Sequence, residues 1–118
     1  MAISPPNAID EEPIITLVRW SVWRTELHEN HLVGFRPSTL TGRVSSAIRS
    51  ICSVSRTITT QTGRRYRLEG PSASRGLGEY IWQTWCTTHA VPYSTDVTDE
   101  LDTMFEQCEN SLTSYRKS

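Results

Sequence analysis

The sequence predicts an α+β fold: an antiparallel meander sheet or small open barrel of about five strands, followed by two C-terminal helices. Residues 14–69 are dense in β-branched and aromatic residues punctuated by Gly, Pro and Asn. From Leu77 onward apolar residues recur at spacings of three and four. All the strand-like segments precede the helical ones, without the alternation that a parallel sheet requires.

The elements follow in order. Ile14 to Trp23 reads as a strand with Val18, Trp20 and Val22 on one face and Leu17, Arg19, Ser21 and Trp23 on the other. Glu26 to Asn30 is a polar turn, and His31 to Arg36, stopped by Pro37, is its antiparallel return. Gly42 to Ile51 fits both helical and strand spacing. Its run of Val, Ser and Ile is poor in helix formers, so strand is preferred. Arg56 to Glu69 is a β-hairpin whose three-residue loop, Gln61-Thr62-Gly63, places Gly63 in a left-handed bulge and Ile58 opposite Tyr66 on the inner face. A two-residue loop sets Ile58 against Arg67 and splits the apolar residues between faces. Leu77 to Ala90 reads as a helix with an apolar stripe of Leu77, Tyr80, Ile81, Trp85 and Thr88, widened by Trp82 and Cys86 and ended at Val91-Pro92. From Asp96 a second helix presents Val97, Leu101, Met104, Phe105, Cys108 and Leu112, with Thr95 or Asp96 as its N-cap.

A chain of 118 residues is one domain by length. Residues 1–13, rich in Pro and acid and without periodicity, read as a flexible arm, and residues 14–115 as a single α+β domain. Hydrophobic content is only 36%, but four Trp, four Tyr and two Phe offset a small aliphatic core. The N-terminus lacks the basic start and apolar run of a signal peptide, and no stretch has the length of a membrane span, so a cytoplasmic protein without membrane contact is expected. Three widely spaced cysteines, Cys52, Cys86 and Cys108, fit neither a disulfide framework nor paired zinc knuckles and read as reduced thiols.

Charge is segregated along the chain. Between Asn30 and Gly78 stand eight arginines (36, 43, 49, 56, 64, 65, 67 and 75) against Glu69, a block of +7. Between Glu79 and Tyr115 stand seven acids (79, 96, 99, 100, 102, 106 and 109) and no base, a block of −7. Basic residues are eleven Arg to one Lys. Arg has the planar fork suited to carboxylates, phosphates and aromatic faces. The hairpin register puts Thr57, Thr59, Arg65 and Arg67 together on the outer face, where Arg43 and Arg49 of the preceding strand extend an arginine stripe. That stripe, with Trp23, is the expected partner-binding surface: Arg43, Arg49, Arg65, Arg67 and Trp23. Asp99, Asp102, Glu106 and Glu109, on one side of the last helix, form a candidate second, acidic surface. The two charged surfaces either neutralise each other within the fold or face separate partners.

Enzymatic signals are weak. His28 and His31 sit three apart in a turn without cysteine partners, so no metal and no cofactor are expected. Cys86 and His89 share one side of a helix but lack the orienting group and oxyanion hole of a nucleophilic site, and a core thiol is the simpler reading. Gly76-Leu77-Gly78 lacks a phosphate-loop pattern and a strand directly before it. The protein therefore reads as non-catalytic. Arg, Trp and Tyr, the residues enriched at interface hot spots, point to a protein partner. The alternative is a single-stranded nucleic-acid-binding protein, its arginine-rich sheet face tracking phosphates and Trp20, Trp23 or Tyr66 stacking bases. A pI of about 6.3 weighs against that alternative.

Gly42-Arg43-Val44-Ser45-Ser46, Thr62-Gly63-Arg64-Arg65-Tyr66-Arg67-Leu68-Glu69-Gly70-Pro71 and Glu79-Tyr80-Ile81-Trp82-Gln83-Thr84-Trp85 together resemble a pattern in small uncharacterised bacterial proteins of proteobacterial chromosomes and mobile elements. The resemblance spans residues 34–86 and carries no catalytic or binding residues with it. It implies a bacterial or phage-borne accessory protein, of a kind suited to inhibit or regulate a larger complex such as a host-defence system.

Overall fold

The computed structural model describes residues 14–73 and 75–117, with side chains through residue 108. The expected N-terminal arm lies outside the described residues. In chain order the elements are β1 (Ile14–Thr25), β2 (Asn30–Arg36), β3 (Thr41–Cys52), β4 (Thr57–Thr60), β5 (Arg65–Glu69), α1 (Leu77–Thr88), β6 (Ser94–Asp96) and α2 (Thr98–Lys117). Consecutive strands β1 to β5 pair antiparallel, as a meander does. The ring then closes, because Ile14–Val18 of β1 pairs in parallel with Arg65–Glu69 of β5. The expected open barrel is thus a closed five-stranded one. An odd number of up-and-down strands brings the first and last to the seam running the same way. The segment Ser94–Asp96 is an additional short strand beside Trp23–Thr25, too brief to leave a periodic signal in sequence.

The inner face of β1 changes phase midway. Ile15 and Leu17 are buried in the first half and Trp20 and Val22 in the second, all in one cluster with Ile58, Tyr66 and Leu68. An irregularity between Val18 and Ser21 puts two residues, Arg19 and Trp20, against the single Gly34 of β2. Arg19 takes a φ of 48° there. Such a bulge bends the strand and shifts its alternation by one. Val18 therefore does not share a face with Trp20 and Val22, as uninterrupted alternation predicts, and Leu17 is inside. Gly34 is needed at this corner, since a Cβ would stand 3.1 Å from Leu17 Cβ and 3.3 Å from the Val18 carbonyl oxygen.

The hairpin follows its expected register, with Thr57, Ile58 and Thr59 opposite Arg67, Tyr66 and Arg65. Gly63 has a φ of 88°, and its N–H donates to the Thr60 carbonyl at 2.8 Å.

α2 covers the barrel interior with Leu101 and Phe105, joined by Val97 just before the helix; Phe105 packs edge-on to Trp20 at 5.7 Å between ring centroids. Asp96 accepts the Thr98 N–H at 2.9 Å, and Thr98 Oγ1 accepts the buried Val22 N–H at 3.0 Å, so the start of α2 is tied to β1. Met104, expected on the buried stripe, is exposed; Leu112 lies outside the described side chains. α1 packs outside the barrel over β1–β3. Its buried face is Gly78, Ile81 and Trp82, with Trp85 and Cys86 half-buried, while Leu77, Tyr80 and Thr88 are exposed. The apolar arc of this helix is wide enough in sequence to admit either orientation. Stacking of Trp82 on Trp23 at 5.9 Å and on Trp85 at 5.2 Å goes with the observed one. Among the described residues no helix is long and apolar enough to cross a membrane.

Candidate functional site

The eight arginines of the basic block divide sharply. Arg36, Arg43 and Arg64 are buried, at 6%, 4% and 5% exposure. Val44 faces the α1 cluster, so alternation turns Arg43 into the barrel, where its Nε donates to Tyr66 Oη at 3.0 Å. Arg56 is half-buried, its guanidinium 4.8 Å from the Phe105 ring centroid and 5.9 Å from that of Trp20, with Nη2 donating to the Gly70 carbonyl at 2.9 Å. Arg49, Arg65, Arg67 and Arg75 are exposed.

The expected stripe is consequently smaller. Arg43 is not on the surface, because it points inward to a polar partner. Trp23 is not either: it is 8% exposed beneath α1, its Nε1 donating to Ser21 Oγ at 3.0 Å. Arg49 is exposed at a break in register between Ile48 and Ser50, where β3 turns both isoleucines at 48 and 51 toward the core. Arg65 and Arg67 remain together, as the hairpin register requires.

These two arginines line a shallow groove of about 450 Å³ on the outer face of β3–β5. Successive ladders lay out its surface: Ser50, Thr59, Arg65 and Ile14 in one row, and Cys52, Thr57 and Arg67 in the next. Among the described residues none that lines the groove is acidic. Glu69 follows on the same face but lines a separate hollow with Arg36 and Pro37. The groove offers two guanidinium forks between hydroxyl groups, an arrangement suited to planar anions such as carboxylates.

Cys52 lies in this groove, a position that the spacing of the cysteines does not signal. Hydrogen bonds from the Ser55 side chain and backbone hold its thiol below the ordinary value, whereas burial pushes the Cys86 thiol up. The thiolate is the reactive form. Iodoacetamide at neutral pH is therefore expected to label Cys52 before Cys86, with a lower pH midpoint for Cys52. Peptide mapping by mass spectrometry checks the order, and faster labelling of Cys86 contradicts it.

The acidic surface is partly engaged within the fold. Glu100 pairs with Arg24 at 2.8 Å, the one ion pair among the described residues, and Asp102 accepts from Ser72 Oγ at 2.7 Å. Asp99 and Glu106 are exposed, and the Glu109 side chain lies outside the described residues. No ion pair among the described residues joins the basic block to α2. Arg56 of that block packs on Phe105 of α2 in a cation–π contact.

Of the three histidines, two pack against tryptophans. His31 is buried, its Nδ1 2.8 Å from the Ser45 carbonyl oxygen and its ring against Trp82 and Trp85, while His28 is exposed in the β1–β2 turn. His89 stacks on Trp85 at 4.1 Å. Among the described residues no group of three or more His, Cys, Asp or Glu is placed to hold a metal. No family model, curated protein or solved structure matches the chain.

Proposed function

We propose that this is a non-catalytic binding domain that engages an acidic surface of a protein partner, as an inhibitor or regulator, through the groove of Arg65 and Arg67. The observation that carries this reading is the pairing of two exposed arginines in one hydroxyl-lined groove, where none of the described lining residues is acidic. Long-range attraction would steer the partner, and bidentate contacts would set its register. Trp20, Trp23 and Tyr66, the stacking residues that a single-stranded nucleic-acid site would use, are buried. That favours protein over nucleic acid.

The double variant Arg65→Glu/Arg67→Glu tests the proposal. Both side chains are exposed, so its thermal melt should stay close to that of the wild type. Affinity for the partner recovered by cross-linking in the source cell, then purified, should fall by about 100-fold, since two charge-assisted contacts become repulsive. Unchanged affinity would refute the groove as the interface. Oligonucleotide binding at about 50 mM salt that the double variant abolishes would reassign the groove to nucleic acid.

A further inference from the structure

A second cavity, of about 320 Å³, shares no lining residue with the groove. It is within the size range of small-ligand sites, roughly 300–1,000 Å³. Val18 and Phe35 form the strand side of its lining, Ala73 and Leu77 come from the segment leading into α1, and Pro37 and Leu40 from the β2–β3 turn. The polar lining is three arginines: Arg19, Arg36 and Arg75. Among the described residues none that lines it is acidic.

Two of the five non-glycine residues with positive φ among the described residues line the cavity. Arg19 and Leu40, neither of them glycine, have φ of 48° and 56°, and Gly76, between Arg75 and Leu77, has 77°. A side chain in this region carries strain that glycine avoids, and such outliers gather at binding sites. The bulge corner keeps an arginine where glycine would be at ease. Leu40 and Leu77 are 76% and 45% exposed, so the apolar lining extends to the surface. Gly78, in the first turn of α1, also lines the cavity, which places the positive end of that helix dipole at one wall.

We propose that this cavity binds a small organic anion, an apolar body ending in a carboxylate. The apolar lining takes the body, and Arg19 and Arg75 clamp the carboxylate in the planar fork geometry that guanidinium provides. Inorganic phosphate, strongly hydrated and without an apolar portion, is a poor occupant of such a site.

The test is a titration of the full-length, ¹⁵N-labelled protein with 2-naphthoate, its neutral amide 2-naphthamide, and inorganic phosphate, followed by amide chemical shifts. With 2-naphthoate, saturable shifts centred on Val18, Phe35, Leu77 and Gly78 are expected; the amide should bind about tenfold more weakly or worse. Arg75→Ala and Arg19→Gly should each weaken 2-naphthoate by a similar factor. Arg19→Gly separates binding from folding, because it removes the guanidinium while relieving the positive φ: it should melt no lower than the wild type and still bind poorly. Absence of saturable shifts with 2-naphthoate, equal binding of the amide, wild-type affinity in both variants, or displacement of 2-naphthoate by equimolar phosphate would each overturn the proposal.

Discussion

Trp20→Ala is expected to lower the melting temperature by roughly 12–20 °C, because an aromatic-to-alanine change in a core costs about 3–5 kcal/mol and a domain of this size loses about 4 °C per kcal/mol. Trp20 is fully buried at the point where the bulge turns β1 into the barrel. It holds three elements: Phe105 of α2 packs on its ring, the Arg56 guanidinium lies over it, and its Nε1 donates to the Gly70 carbonyl at 3.1 Å. Alanine leaves a cavity beneath α2 that a closed barrel cannot collapse to fill. Against a total stability of about 5–15 kcal/mol, the loss is enough to unfold a marginal domain near physiological temperature. Trp85→Ala provides the contrast. Trp85 is half-buried on the outer helix, and its removal should cost clearly less. Circular dichroism melts measure both; a smaller fall for Trp20→Ala than for Trp85→Ala would place the mechanical centre of the fold at α1 instead.

Arg43→Ala, on β3, is expected to destabilise by about 2–4 kcal/mol, whereas Arg65→Ala, on the β4–β5 hairpin, should change stability by no more than about 0.5 kcal/mol. In sequence the two arginines belong to one charged block. In the fold Arg43 is inside the barrel, with its Nε on Tyr66 Oη and its guanidinium 5.7 Å from that ring. Tyr66→Phe should cost about 1.5–3 kcal/mol, as it takes an acceptor from a buried charged donor. The double variant Arg43→Ala/Tyr66→Phe should cost less than the sum, because the second change removes a group that has already lost its partner. Urea unfolding of the four proteins gives the coupling directly. Strict additivity would show that the contact contributes nothing to stability.

The charge split along the chain therefore has a different meaning in three dimensions. Three arginines of the basic block serve the interior and a fourth covers Phe105. The rest of the block is exposed: Arg65 and Arg67 in the groove, Arg75 at the second cavity beside Arg19 of β1, and Arg49 at the register break of β3. The acids of α2 are a separate surface, of which Glu100 and Asp102 are already used within the fold.

Several features were legible from residues alone. The hairpin register followed from a loop with Gly63 at its end and from the need to bury Ile58 and Tyr66 together. The strand assignment of residues 41–52 followed from its lack of helix formers, and the α2 core face from Val97, Leu101 and Phe105. These are short-range properties, in which each residue's conformation and its neighbours three or four positions away suffice. The exposure of Arg65 and Arg67 follows from the same register, so the core of the candidate groove was legible too.

What the tertiary structure alone decided lies between elements distant in sequence. Closure depends on pairing Ile14–Val18 with Arg65–Glu69, across about fifty residues, and no local pattern encodes a partner so far away. The phase of β1 reverses at a bulge opposite Gly34 of β2, a residue of a different strand. The orientation of α1 accompanies a tryptophan stack between two elements, and its apolar arc is otherwise ambiguous. Above all, an arginine carries the same letter whether it meets solvent or a buried tyrosine: Arg43 and Arg65 part company because strand alternation and barrel closure turn one inward and leave the other outside. Sequence determined the five main strands, the two helices and the faces of the hairpin; the closed barrel decided the phase of β1 and which charges stay exposed, since burial is a property of the assembled layers and not of any segment within them.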